Sequence, residues 1–151
     1  MKILMVCLGN ICRSPLAEGI LKDKIEVKKL DWEVDSAGTS GWHEGDRPDP
    51  RSIKIGLSYN TDIRYQKSRK FLQEDLQQFD LIFAMDSSNY QNIIKLASTD
   101  EEREKVHLIM NMVDSGMNQK VPDPYLDDNG FDNVYKMLDQ ACDAIIEKYA
   151  N

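Results

Sequence analysis

The sequence predicts an α/β fold in which a parallel sheet is covered on both faces by helices. Three observations carry this reading. Four short apolar runs have the length and bounds of buried strands: "KILMV" at 2 to 6, "WEVDSA" at 32 to 37, "DLIFAM" at 80 to 85 and "VHLIM" at 106 to 110. Segments of helical period lie between them, and strands that alternate with helices build parallel sheets. No internal repeat, low-complexity tract or linker divides the chain, so residues 1–151 are expected to form one domain.

The elements follow in order. "ILMVCLG" is too short for a membrane span and runs straight into Asn10 and Arg13 with no cleavage site, so it reads as a buried first strand. After it, apolar residues recur at Leu16, Ala17, Ile20, Leu21 and Ile25, which puts one stripe along a helix. Ser14 suits the cap of that helix and Pro15 its first position. Shorter helices are expected after Asp49-Pro50, after Lys70 and after Ser88 through "NYQNIIKLA". The last segment carries Phe131, Val134, Tyr135, Leu138, Cys142, Ile145 and Tyr149 at helical spacing. Residues 111 to 130, "NMVDSGMNQKVPDPYLDDNG", fit neither period. About 20 residues of plain loop are uncommon in a compact domain unless they serve a function.

Composition narrows the function classes. A formal net charge of -7 argues against broad attraction to nucleic acid or to an anionic membrane surface, since both need a basic footprint. A small anion can still be held by a local pocket of backbone amides and an arginine. Three cysteines with no secretory signal point to free thiols in a reducing cytoplasm.

The chemistry concentrates in "CLGNICRS", which spans Cys7 to Ser14 between the first strand and the first helix. A loop entering a helix N-terminus turns successive N–H groups toward one point, where the helix dipole also favours negative charge. Leu8, Gly9, Asn10, Ile11 and Cys12 would supply that cradle. Gly9 permits close curvature, Asn10 tolerates a left-handed conformation, and Arg13 can grip two phosphate oxygens with its planar fork. Cys7 starts the loop, so its sulfur lies beneath the anion, where the amides and Arg13 favour a thiolate nucleophile.

Cys12 is either a packed thiol or a partner that captures Cys7 as a reversible disulfide on oxidation. Cys142 lies on the apolar stripe of the last helix and reads as core. "CLGNIC" has no second Cys or His pair at ligand spacing, so no metal is expected, and the loop lacks the Lys of a nucleotide P-loop. A thiolate attacking phosphorus needs an acid to protonate the departing oxygen. His107 falls in a buried strand and His43 in a Gly-rich loop. Asp123, held between Pro122 and Pro124 in the long loop, is better placed.

With these residues in view, the chain resembles the low-molecular-weight protein tyrosine phosphatases over essentially its whole length. The resemblance rests on "VCLGNICRSPLAE" at the start, "VDSAGTSGW" at 34 to 42, "FDLIFAMDSSN" at 79 to 89, "DPY" at 123 to 125 and a closing helix. It implies a four-stranded parallel sheet with flanking helices, and cofactor-free hydrolysis of phosphotyrosine in proteins or peptides through a cysteinyl-phosphate that releases inorganic phosphate. It matches Cys7 to the nucleophile, Arg13 to the phosphate-binding arginine, Ser14 to the hydroxyl that steadies the thiolate and Asp123 to the general acid. Asn10 matches a loop-shaping asparagine and Cys12 a redox-protective cysteine. Trp42 and Tyr125 match aromatic walls of the cleft.

Two departures stand out. Gln66 in "QKSRK" stands where many relatives have a histidine, so the resemblance does not imply for this chain the hydrogen bonds that usually join that histidine to the aspartate matched by Asp86. Leu126 stands where many relatives have a second tyrosine. Two rival activities share the fold. Arsenate reductases of this kind need further cysteines in mid-chain, where this sequence has none between residues 13 and 141. Protein-arginine phosphatases have a threonine where Ile11 stands. A phosphate-binding module without catalysis would not need both nucleophile and acid.

Overall fold

The computed structural model describes residues 1–150. Four parallel strands, β1 (Lys2–Cys7), β2 (Glu33–Gly38), β3 (Leu81–Ala84) and β4 (Val106–Leu108), form one sheet in the order β2-β1-β3-β4. Six α-helices surround it: α1 (Arg13–Lys28), α2 (Pro50–Ser58), α3 (Asp75–Gln78), α4 (Ser87–Ile94), α5 (Asp100–Glu104) and α6 (Phe131–Tyr149). β1 is paired along both edges because it lies between β2 and β3, with Val6 opposite Ala37 on one side and Ala84 on the other, and both its faces are covered by packed side chains. Its two faces serve two cores. Ile3, Met5 and Cys7 pack toward α1 and α6, and Leu4 and Val6 pack with Phe71, Leu76 and Ile93.

This strand order fixes where a ligand can sit. The chain leaves β1 toward β2 and then crosses back to β3, so the carboxyl end of β1 is a topological switch point, where open α/β sheets form their binding crevices. Cys7 is the last residue of β1. Close packing beneath it depends on Gly38, its pairing partner on β2: a Cβ there would meet the Leu8 carbonyl oxygen at 2.7 Å and the Asn10 nitrogen at 3.0 Å. Any larger residue would lift the loop.

The predicted elements recur with local differences. The fourth strand stops at Leu108, and Ile109–Met112 turn into a 3₁₀ helix. α1 begins at Arg13 with Cys12 at the cap position and no side-chain cap. The expected capping role of Ser14 is therefore corrected: its oxygen faces Cys7 and Asn10 instead. α5 was not anticipated, although its start is written in "STDEE". Thr99 accepts a hydrogen bond from Glu102 N at 3.1 Å, and Glu102 accepts from Ser98 N at 2.6 Å, a reciprocal pairing of the capping-box kind. α6 buries the expected stripe from Phe131 to Ile145, with Tyr149 only partly buried at its end, and Cys142 lies in the core with its thiol pushed up by burial. Among the described residues, no helix is long and apolar enough to cross a membrane.

Candidate active site

The loop from Leu8 to Cys12 turns the chain from β1 into α1. Asn10 makes the turn with a left-handed φ of 54°, which its side chain tolerates by bonding locally. Every polar atom of that side chain is used. Nδ2 donates to Ser14 Oγ at 2.7 Å and to Ser36 Oγ at 3.0 Å, and Oδ1 accepts from Arg69 N at 3.0 Å. Asn10 therefore shapes the loop from behind.

Those bonds give a direction to the protons. Ser36 Oγ accepts from Asn10, so its own proton goes to Glu18 Oε1, 2.7 Å away. Ser14 Oγ likewise accepts from Asn10, and its proton is free for Cys7 Sγ at 3.0 Å. Glu18 anchors the far end. It is buried, yet it also accepts from Tyr65 Oη at 2.8 Å and pairs with Lys22 at 2.9 Å. Burial and the Glu18 charge push the Tyr65 phenol above its ordinary range, which keeps it a donor. Gln66 belongs to this cluster. Its Nε2 donates to the Pro15 carbonyl at 2.9 Å and its Oε1 lies 3.5 Å from Ser36 Oγ, so this residue supports the loop and does not reach Asp86.

Asp86 instead holds Arg13. Arg13 Nη1 donates to Asp86 Oδ2 at 2.7 Å and to the Val121 carbonyl at 3.0 Å, and Nη2 lies 3.7 Å from Asp123 Oδ2. With Nη1 occupied, the edge formed by Nε and Nη2 remains for an oxyanion. Burial opposes the Arg13 charge, but Cys7, the hydrogen bond and charge of Asp86, and Asp123 outweigh it and hold the pKa above its ordinary value. Asp86 was expected only as an aligned position; its service to Arg13 needs a contact across 73 residues that no local pattern encodes.

These groups meet at one cavity of about 240 Å³. Its floor is Cys7, Leu8, Gly9, Ile11, Cys12 and Arg13, and its rim is Trp42, His43, Asp123 and Tyr125. Trp42 and Tyr125 both line its mouth. Trp42 is 78% exposed and Tyr125 46%. His43, which sequence reasoning left aside, completes the rim: its ring lies 6.4 Å from that of Tyr125, and a Cβ on Gly9 would come within 3.1 Å of its Cδ2. A side chain at Gly9 would thus require the His43 ring to give by a few tenths of an ångström. Leu126, beside Tyr125, is almost fully exposed.

Cys12 shares the floor but differs from Cys7 in surroundings. It packs with Ile11, Phe131 and Ile55, and burial, then the charges of Asp49 and Cys7, push its thiol up to about 12. Asp123 sits on the long loop with its side chain 44% exposed, and its Oδ1 accepts from Tyr125 N at 3.1 Å. The cavity thus combines a sulfur at its base, a helix N-terminus without a side-chain cap, a fixed arginine and a carboxyl at the rim. This set suits displacement at a phosphoryl centre. Among the described residues, no group of three or more His, Cys, Asp or Glu side chains is placed to hold a metal ion.

Comparison with known proteins agrees with this geometry. A family model described as low molecular weight phosphotyrosine protein phosphatase matches residues 2–151. A Schizosaccharomyces pombe relative named low molecular weight phosphotyrosine protein phosphatase is 40% identical over 141 residues, covering 91% of this chain and 89% of the relative. A crystal structure of a protein tyrosine phosphatase from Entamoeba histolytica, with Hepes in its active site, superposes with a TM-score of 0.93 at 37% identity, covering 99% of this chain and 97% of that one. A Drosophila structure named as an arginine phosphatase superposes with a TM-score of 0.92 at 32% identity, covering 100% and 99%.

Proposed function

The chain belongs to the low molecular weight phosphotyrosine protein phosphatase family, and from that membership we propose how its own residues divide the work of phosphotyrosine hydrolysis. The protein is a cysteine-dependent protein tyrosine phosphatase. Cys7 Sγ attacks phosphorus, the bond to the aryl oxygen breaks, and Asp123 gives its proton to the departing oxygen. Water, surrendering a proton to the same carboxylate, then attacks the phosphocysteine, releasing inorganic phosphate and restoring the thiolate. Arg13 and the loop amides from Leu8 to Cys12 hold the three non-bridging oxygens, whose charge is largest in transit. One observation carries this reading: the Ser14 hydroxyl, 3.0 Å from Cys7 Sγ, has its proton free for the sulfur.

Substrate class follows from depth. Cys7 is 3% exposed at the end of a strand, and Trp42 and Tyr125 stand at the mouth, so a long flat side chain reaches the sulfur and a phosphoserine does not. A second reading, phosphoarginine hydrolysis, is favoured by the likeness to the Drosophila arginine phosphatase. Against it, Ile11 gives the floor an apolar side chain packed on Phe131 and Ile55, which suits an aryl group better than a guanidinium. Hydrolysis of phosphotyrosine, phosphoserine and phosphoarginine, with arsenate reduction beside them, decides the matter. Phosphotyrosine should lead in kcat/KM; a lead by phosphoarginine overturns the assignment.

Cys12 is the redox partner in this reading. Peroxide oxidises the Cys7 thiolate to a sulfenic acid, and the Cys12 sulfur attacks it to form a disulfide with loss of water. The proposed setting is the cytoplasm, because a nucleophilic Cys7 must stay reduced.

A further inference from the structure

Asp123 is nearly half exposed, and its one ionic contact, to Arg13 Nη2, is 3.7 Å long. Its own bonds therefore do not set how deeply it reaches over the cavity. The segment from Pro122 to Gly130 carries no helix or strand, and the hydrogen bonds of Tyr125, Asp127, Asn129 and Gly130 are turns within it. Something outside the segment must hold it.

Arg51, in the first turn of α2, makes that connection. On one side its Nε and Nη2 donate to the two oxygens of Asp49 at 3.0 and 2.9 Å, a bidentate fork that holds the Asp49 carboxyl below its ordinary range. Asp49 is itself fastened to the anion loop, since its backbone nitrogen donates to the Ile11 carbonyl at 2.8 Å. On the other side Arg51 Nη1 donates to Asp128 Oδ1 at 2.5 Å, and the guanidinium lies over the rings of Tyr125 at 5.5 Å and Phe131 at 4.8 Å. One planar cation thus ties the floor that holds phosphate to the loop that carries the acid.

We propose that Arg51 is a positioning residue for proton transfer: by clamping Tyr125 and Asp128 to the Asp49–Ile11 edge of the anion loop, it sets the placement of Asp123 over the leaving oxygen. Only Pro124 separates Asp123 from Tyr125, and Tyr125 N donates to Asp123 Oδ1 at 3.1 Å, so a shift of Tyr125 is passed directly to the carboxyl. A displacement near 1 Å can cost about a hundredfold in rate. The proposal rests on the assignment of Asp123 as the acid, and a lysine could not replace Arg51, because an ammonium has no fork to hold Asp49 while stacking on two rings.

The test is kcat/KM across aryl phosphates from p-nitrophenyl to phenyl phosphate, for the parent, Arg51→Ala, Asp123→Ala and the double variant. Arg51→Ala should lose about ten- to a hundredfold on phenyl phosphate, only a few-fold on p-nitrophenyl phosphate, and less than about twofold more when added to Asp123→Ala. An equal loss on all leaving groups, or an undiminished loss in the Asp123→Ala background, overturns the proposal. If Asp123→Ala itself shows no leaving-group dependence, the acid assignment fails and the role of Arg51 falls with it. Arg51→Lys should show the same leaving-group pattern at smaller amplitude. It carries the test if a thermal melt shows that the alanine variant does not fold.

Discussion

Ser14 Oγ sits 3.0 Å from Cys7 Sγ and 2.7 Å from Asn10 Nδ2, which leaves its single proton for the sulfur. A hydrogen bond to a charged group is worth about 1.5–3 kcal/mol, or roughly ten- to a hundredfold in rate. Ser14→Ala should therefore lower kcat/KM by that factor while the fold, read by thermal melting, is kept. An unchanged kcat/KM would mean that the amides and Arg13 stabilise the thiolate alone.

Arg13→Lys should cost more. The lysine cannot hold Asp86, the Val121 carbonyl and two phosphate oxygens at once, and loss of one oriented donor in such a site costs about 10² to 10³ in rate. Binding of vanadate, measured by competition, should weaken in parallel. A lysine variant with parent-like activity would show that charge suffices and that the fork is not used.

Asp123→Ala should reduce kcat/KM on phenyl phosphate by about 10² to 10⁴, the range of general acid catalysis, and far less on p-nitrophenyl phosphate, whose leaving group needs no proton. Steady-state rates on the two substrates check this directly. Equal losses would assign Asp123 to binding.

Cys12 should resist alkylation at neutral pH, because burial pushes its thiol up. Cys12 has its thiol pushed up to about 12, so pH 7 lies about five units below its midpoint of ionisation and roughly one molecule in 10⁵ has it as thiolate. Brief iodoacetate treatment at pH 7 should label Cys7 and spare Cys12, with Cys12 labelling appearing only as pH rises toward 12 or after unfolding. Peroxide should give a Cys7–Cys12 disulfide that dithiothreitol reverses. Peptide mass spectrometry that finds only sulfonic acid at Cys7 would remove Cys12 as its partner.

Trp42→Ala should raise KM for phosphotyrosine peptides with little change in kcat, because a wall contacts substrate and transition state alike. Unchanged KM would place the peptide on the Tyr125 side of the mouth.

Much of this site was legible in the sequence because its parts are local. Cys7 to Ser14 occupy one strand-loop-helix turn, where residue type and spacing define the cradle, and Asp123 is marked by its flanking prolines. What escaped is the support across the chain. Ser14 reads as a helix cap from its place before Pro15, and only the folded chain shows its oxygen turned to Cys7 by Asn10. Glu18 looks like a solvent-facing helix residue, yet α1 is buried all round through its first two turns, so Glu18 ends the hydrogen-bond chain beneath the loop. His43 and Arg51 are surface residues by type. Their places at the rim and behind the acid loop come from loop packing that has no period.

The central claim is that Cys7 is the covalent nucleophile, and trapping the phosphoryl enzyme tests it most directly. The Asp123→Ala variant, mixed with p-nitrophenyl phosphate and quenched before one turnover is complete, should carry one phosphoryl group on the peptide that contains Cys7, and Cys7→Ser should carry none and turn over no substrate while still binding vanadate. Phosphate found on another residue, or substantial turnover by Cys7→Ser, would contradict the account.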